Sequence, residues 1–371
     1  APRPAPLIPQ SYLFWDDTPR QSSKGKRPAP GWPAGTVHDQ VADYGMDPAV
    51  VNSRNPQIGG VDKVKSALTS IPTISIVTDL PNLFDRDSGI WVNPYNRGSA
   101  WERPASIEMI GDSGPDGGFE INGGLRIRGG FSRSGDNPKH SLRLFFRGEY
   151  GASKLQYPLF GDEGASSFDK IDLRTSQNYS WSFQGDGNNT FIREETTREL
   201  QGAMGQLHTR SRYYHLYLNG QYWGLYTTAE RPEAAFAETY LGGNKEDYDT
   251  VKSEQDQGYI TGVTDGNLDA WEQLRLKVRA HAAEPTNANF FALSGKAADG
   301  VTPTTDPALL EVDNLIDYML LTFWTGNFDG ATSAFLGESN ANNWYAVRNR
   351  LGTHGGFRFL AHDFEHSLFW P

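Results

Sequence analysis

The chain has 371 residues, 37% of them hydrophobic and 21% charged, which reads as a soluble globular protein with length for one large domain or two lobes. Its net charge of −11 argues against a general nucleic-acid binder, and the absence of cysteine excludes disulfides, zinc–thiolate sites and thiol catalysis. No apolar run approaches the ~20 residues of a membrane span.

Ala1 is preceded by neither Met nor a signal-peptide pattern, so the chain reads as processed or excised. Ten Trp, 40 Gly and few Lys fit an extracellular or cell-surface location better than a cytosolic one.

Residues 1–36 carry eight prolines and no periodicity, which predicts an extended Pro-rich arm laid over a partner or over the domain itself. Tyr12, Leu13, Phe14 and Trp15 offer it one apolar anchor. Ordered β-structure is expected from Ile74–Thr78 onward. Gly111–Gly118 reads as a flexible loop; its Gly-Asp-Ser-Gly string matches trypsin-like proteases, but nothing else of that site is visible.

Leu125–Ile127 and Ser141–Phe146 read as strands, with Lys139 and Arg143 on one side by alternation. Arg126, Arg128, Arg133, Lys139, Arg143 and Arg147 make a basic stretch, either a solvated sheet face or a phosphate-binding one. Thr190–Gly205 reads as a helix with Phe191 and Ile192 against Leu200 and Met204. Tyr213–Leu218 and Tyr222–Thr228 flank Asn219-Gly220, a strong hairpin signal.

Gly266–Ala283 is a second amphipathic helix, through Leu268, Trp271, Leu274 and Val278. Residues 284–307 read as a polar connection. Val312, Leu315, Ile316, Met319, Leu320 and Phe323 then recur at helical spacing, which predicts a helix packing that face inward. Strands dominate the first half of the ordered region and helices the second, an α+β arrangement.

The end of the chain carries the chemistry. The last helix runs into Gly326-Asn327-Phe328-Asp329, and Asn343 follows 14 residues after Asp329. A strand over Gly356–Ala361 leads to Asp363 and Glu365. An acid on a loop, an amide and an acid leaving a strand suit phosphoryl transfer. Asp329 can take a hydroxyl proton, or it can be an Asx turn closing the helix. Asp363 and Glu365 can reach one hard cation. His362 and His366 bracket these acids at i and i+4, a spacing that pairs imidazoles only on a helix, whereas the residues before them look like strand.

At these residues the chain resembles the CotH family of spore-coat-type atypical kinases, over roughly residues 73–371. The resemblance rests on ordered blocks: Gly124–Gly130 with Pro138–Arg143, then Leu216–Tyr226 with Glu230 behind it, then the C-terminal acids. Residues 11–50 look like the lead-in of large secreted bacterial members. The resemblance implies a kinase-like pair of lobes, β-rich first and helical second, with the site in the cleft. The expected divisions are 1–72 for arm and lead-in, 73–230 for the β-rich lobe and 231–371 for the mainly helical lobe.

It also implies ATP with Mg²⁺, or Ca²⁺ in its place. Asp329 is then catalytic, Asp363, Asn343 and Glu365 hold metal, and Lys139, Arg143, Glu230 and Lys252 lie near the nucleotide. Ordinary kinase signatures are missing: there is no G-x-G-x-x-G over a strand, no V-A-I-K, no H-R-D and no D-F-G. The chain departs from the family pattern at Tyr179, Glu194 and Glu233, each standing where Asp is expected.

The leading expectation is a secreted kinase moving a γ-phosphate onto Ser or Thr of an extracellular or surface protein. The alternative is a catalytically silent structural module of a surface layer or filament, self-associating through the arm. A carbohydrate-associated module is the third reading, from the many Trp.

Overall fold

The computed structural model describes residues 11–368, apart from 26, 58, 115–116, 179, 181–182, 184–189, 255–257 and 338–339. Expectations attached to residues 1–10, Tyr179 and Trp181 lie outside the described residues. The fold is α+β. It divides into two compact units, residues 1–189 with 211–229, and residues 190–210 with 230–371.

The first unit is built on β1 (Thr73–Val77), β2 (Arg103–Ile110), β3 (Gly118–Arg128), β4 (Ser141–Phe145), a small ribbon of β5 (Leu155–Gln156) and β6 (Ser167–Phe168), then β7 (Lys170–Thr175), β8 (Ser211–Leu218) and β9 (Gln221–Ala229). The strands β1-β2-β3-β4-β7-β9-β8 close into a barrel. Its neighbours pair antiparallel, except β1 with β8, which pair in parallel and complete the closure. Closure leaves no sheet edge to template aggregation. Ile74, Ile107, Leu125, Leu142, Leu173 and Leu216 belong to its buried core. Short helices α1 (Pro48–Val51), α2 (Val61–Leu68) and α3 (Leu80–Phe84) complete the unit.

Asn219 and Gly220 are the two-residue tip between β8 and β9, with Leu218 paired to Gln221. Both have positive φ (48° and 77°), as a type I′ turn demands. The Asn219 amide also bonds the backbone of Thr78 at both its N–H (2.9 Å) and its carbonyl (2.8 Å). The tip is therefore tied to the end of β1.

The described residues of 11–36 contain a 3₁₀ turn at Thr18–Arg20 and otherwise no helix or strand. They run along their own barrel. Thr18 shares a hydroxyl bond with Tyr217 (3.0 Å), and Gln21 bonds the backbone of Tyr222 in both directions. Trp32 is buried in the barrel's cluster beside Tyr44, Phe84 and Trp223.

In the second unit, β10 (Tyr248–Glu254), β11 (Ile260–Asp265), β12 (Trp344–Asn349) and β13 (Arg358–Ala361) form an antiparallel sheet in the order β11-β10-β12-β13. The accompanying helices are α4 (Arg193–Ala203), α5 (Ala234–Leu241), α6 (Asp269–Ala283), α7 (Asn287–Phe291) and α8 (Val312–Thr325). Strand β13 starts two residues later than its alternation suggests. Gly356 is pressed against Leu310, where a Cβ would stand 2.0 Å from the backbone nitrogen. Among the described residues no helix is long and apolar enough to cross a membrane.

Two helices turn a different face inward from the one their apolar spacing predicts. On α8 the buried side chains are Asn314, Tyr318, Leu321, Thr322 and Thr325. Val312, Leu315 and Met319 pack at the margin of the core, whereas Ile316 and Leu320 are exposed and Phe323 is 72% exposed. Polar residues can take the inner face because their bonds are made there. Asn314 accepts from the Phe359 N–H (2.6 Å), and Thr322 and Thr325 donate to carbonyls one turn back (2.8 Å each). On α4, Ile192 and Met204 are exposed and the buried face is Glu194, Thr197, Arg198 and Gln201.

Candidate functional site

Helix α8 stops at Gly326, whose left-handed φ of 63° caps it and releases the loop that carries Asp329. The loop is anchored by its own polar groups. Asn327 Oδ1 accepts the Asp329 N–H (3.1 Å), and the Asn342 N–H reaches the Gly330 carbonyl (2.8 Å). Asp329 is 5% exposed. Its Oδ1 accepts from Ser333 Oγ (2.5 Å), both its oxygens accept from Asn342 (3.2 Å), and Asn343 Nδ2 donates to its Oδ2 (2.9 Å). The carboxylate is oriented by side chains from both ends of the loop.

Asn343 has a left-handed φ of 49° and leads into β12, so its amide turns back toward Asp329 while Trp344 enters the sheet. Trp344 pairs with Ala361 of β13 and stacks on Trp271 at 5.1 Å. This pairing puts the exit of β13 beside Asn343. The next residues are His362, Asp363, Phe364, Glu365 and His366.

Helix α4 holds that exit. Gln201 accepts the Ala361 N–H (2.9 Å) and donates to the Phe359 carbonyl (2.9 Å), while Glu194 Oε1 accepts the Asp363 N–H (3.1 Å). Buried Arg198 bridges Glu194 and Thr209. Gln201→Ala would strip the side-chain acceptor from the Ala361 N–H and leave the Phe359 carbonyl with Asn314 as its side-chain donor (3.2 Å). It is expected to cost about 1–3 kcal/mol, the usual penalty for an orphaned buried polar group. A lowered midpoint in thermal unfolding checks this; an unchanged midpoint would show that α4 does not grip β13.

Asp363 has a left-handed φ of 54°. In an extended strand, consecutive side chains point to opposite faces. Here that alternation is broken, and His362 Nε2 stands 3.5 Å from Asp363 Oδ2. Glu194, His362 and Asp363 each offer one ligand atom, and the three atoms lie within 4.8 Å of one another. Carboxylate and imidazole donors at this spacing fit a divalent cation. Glu365, two residues on, does not join that group.

His366 stands beside Asp329. Its Nε2 lies 3.9 Å from Asp329 Oδ2, and its ring packs on Phe328 (5.1 Å) and Phe335 (5.0 Å). Burial holds its pKa below the ordinary histidine value, against the pull of Asp329 and Asp363, so at neutral pH the ring is uncharged.

The other expected site residues are engaged elsewhere. In the first unit, the Lys139 ammonium bonds the Asp43 carbonyl and lies 4.9 Å over the Trp223 ring. Burial lowers its pKa to about 8. Arg143 pairs with both oxygens of Asp172, which also takes Arg128 (2.8 Å). In the Gly-Asp-Ser-Gly string, Asp112 is bound by Tyr157 and Arg212, a structural role.

In the second unit, Glu230 accepts the Arg210 N–H (2.9 Å) and the Tyr240 hydroxyl. Burial raises its pKa. Lys252, on β10 opposite Tyr345, pairs with Glu254 at 3.0 Å.

The sequence marks Glu194 only as a departure from the family pattern and His362 only as one of a spaced pair of histidines. His362 was weighed against His366, four residues away, rather than against its neighbour Asp363. Glu194 is 169 residues from Asp363 in the chain, and no local pattern joins them. A family model described as CotH kinase protein matches residues 125–368. A comparison with curated proteins gives no match.

Proposed function

From the premise that the chain belongs to the CotH kinase family, we propose that it is an atypical kinase, its two units the counterparts of kinase lobes, moving a nucleotide γ-phosphate onto a Ser or Thr hydroxyl. The observation that supports this best is the bonding of Asp329 to Asn343 beside the strand exit bearing Asp363.

Asp329 receives the acceptor hydroxyl and takes its proton late in the transfer. Ser333, Asn342 and Asn343 hold its carboxylate so that one orientation meets the hydroxyl. Buried rings of the core, Phe357 and Phe364 among them, support the segment that leads to Asp363 and beyond. A divalent cation at Asp363 would neutralise phosphate charge as it develops; Asn343 and Glu365 are the family-matched companions of that carboxylate. The substrate is read as an extracellular or surface protein and the chain as exported from a bacterium, both on composition and family likeness.

A catalytically silent structural module is the second reading. It is favoured by the engagement of Lys139 and Arg143 with groups of their own unit. That engagement takes both side chains away from a phosphate-binding role. Radiolabelled γ-phosphate, ATP, Mg²⁺ and a panel of Ser/Thr-rich proteins test the choice. Label on Ser or Thr that depends on Mg²⁺ and on Asp329 is the expected result. No label on any protein, the chain itself included, would favour the silent module.

A further inference from the structure

We propose that Glu194, His362 and Asp363 form a mixed nitrogen–oxygen site for a divalent transition-metal cation, with a preference for such an ion over Mg²⁺. The proposal deepens the kinase reading, since it shares Asp363 with it.

The three ligand atoms lie within 4.8 Å of one another. Ligands held about 2.0–2.1 Å from an ion at octahedral angles stand about 3 Å apart. His362 Nε2 and Asp363 Oδ2, at 3.5 Å, are already near that spacing. Small side-chain movements would bring in Glu194.

The supports are rigid. Glu194 is on a helix, its carboxylate oriented by Arg198 and by the Asp363 N–H. His362 follows directly on β13 and sets its ring edge-on to Tyr345 at 4.8 Å. Gln201 fixes the strand from which both His362 and Asp363 leave. Charge favours a cation, since two of the three donors are carboxylates.

The donor set carries the selectivity. Mg²⁺ is served by oxygen ligands and keeps its waters, whereas imidazole suits the later first-row ions, whose affinities rise from Mn²⁺ toward Cu²⁺. An all-oxygen site built on Asp363, Asn343 and Glu365 would not discriminate in this way. His362 is the residue that makes the difference.

Calorimetric titration of the full chain with Co²⁺ and with Mg²⁺, without nucleotide, tests the proposal. Wild type is expected to bind Co²⁺ at least about 10-fold more tightly than Mg²⁺. His362→Gln is expected to weaken Co²⁺ by at least about 10-fold, the lower bound for losing even a partner that only orients a ligand, and to change Mg²⁺ less. Thermal unfolding of wild type with each ion needs no variant, and Co²⁺ should raise the midpoint more.

Equal affinity for the two ions, equal protection by them, or a His362→Gln chain that keeps its Co²⁺ affinity would each overturn the proposal. A chain that binds Co²⁺ as described but never ATP would strike the kinase reading and leave this site standing. A chain that binds ATP with Mg²⁺ but shows no Co²⁺ preference would do the reverse.

Discussion

Asp363→Asn is expected to abolish Mg²⁺-dependent nucleotide binding and leave the fold intact. The electrostatic part is direct: a hard dication held by carboxylates and phosphates loses one full fixed charge when Asp363 becomes neutral. We expect a loss of more than about 100-fold, or about 2.8 kcal/mol at 1.4 kcal/mol per decade.

The structural part is favourable. Asp363 sits at a φ of 54°, and Asn is among the few residues that tolerate that region. The bond to Glu194 is made by the backbone N–H of residue 363 and does not depend on its side chain. Ala361 and Phe364, on either side, are buried and unchanged. Titration with ATP and a thermal melt read the two halves separately. A variant that binds nucleotide as wild type does would remove Asp363 from the metal site.

Asp329→Asn should behave differently, keeping nucleotide binding and losing transfer by about 10²–10⁴-fold, the usual worth of a positioned general base. The structure adds a cost in stability. Three side chains, Ser333, Asn342 and Asn343, donate to this carboxylate. An amide has one oxygen, and its NH₂ would face a donor. The expected penalty is about 1–3 kcal/mol, read as a lower unfolding midpoint. Single-turnover transfer measured well below that midpoint separates the chemical loss from the structural one. Retained transfer would assign Asp329 to the loop's architecture and not to the reaction.

Several elements were legible from residue order alone because they depend on neighbours. The Asn219-Gly220 tip needs only two positive φ angles between alternating runs. Helices α4, α6 and α8 are where their periodicity predicts them. The inner faces of α4 and α8 were not legible, because burial there follows hydrogen bonding rather than hydrophobicity. Gln201 and Asn314 go inside to bond β13, and Phe323 and Trp324 stay in water. Many of the Trp that suggested a carbohydrate surface are core residues, Trp32, Trp91, Trp223 and Trp344 among them.

The candidate site divides in the same way. Asp329, Asn343 and Asp363 stand out as acids and an amide at the ends of regular elements. The contacts that orient them do not: Ser333 and Asn342 look like ordinary loop residues, and Glu194 reaches Asp363 from another part of the chain. Long-range partners of this kind become visible only when the strand they hold has been placed.

The most direct test of the kinase reading is calorimetric titration of the wild-type chain with ATP at millimolar Mg²⁺. Saturable binding that disappears when Mg²⁺ is chelated is the predicted result. No measurable binding under those conditions would contradict it and leave the silent structural module as the better account.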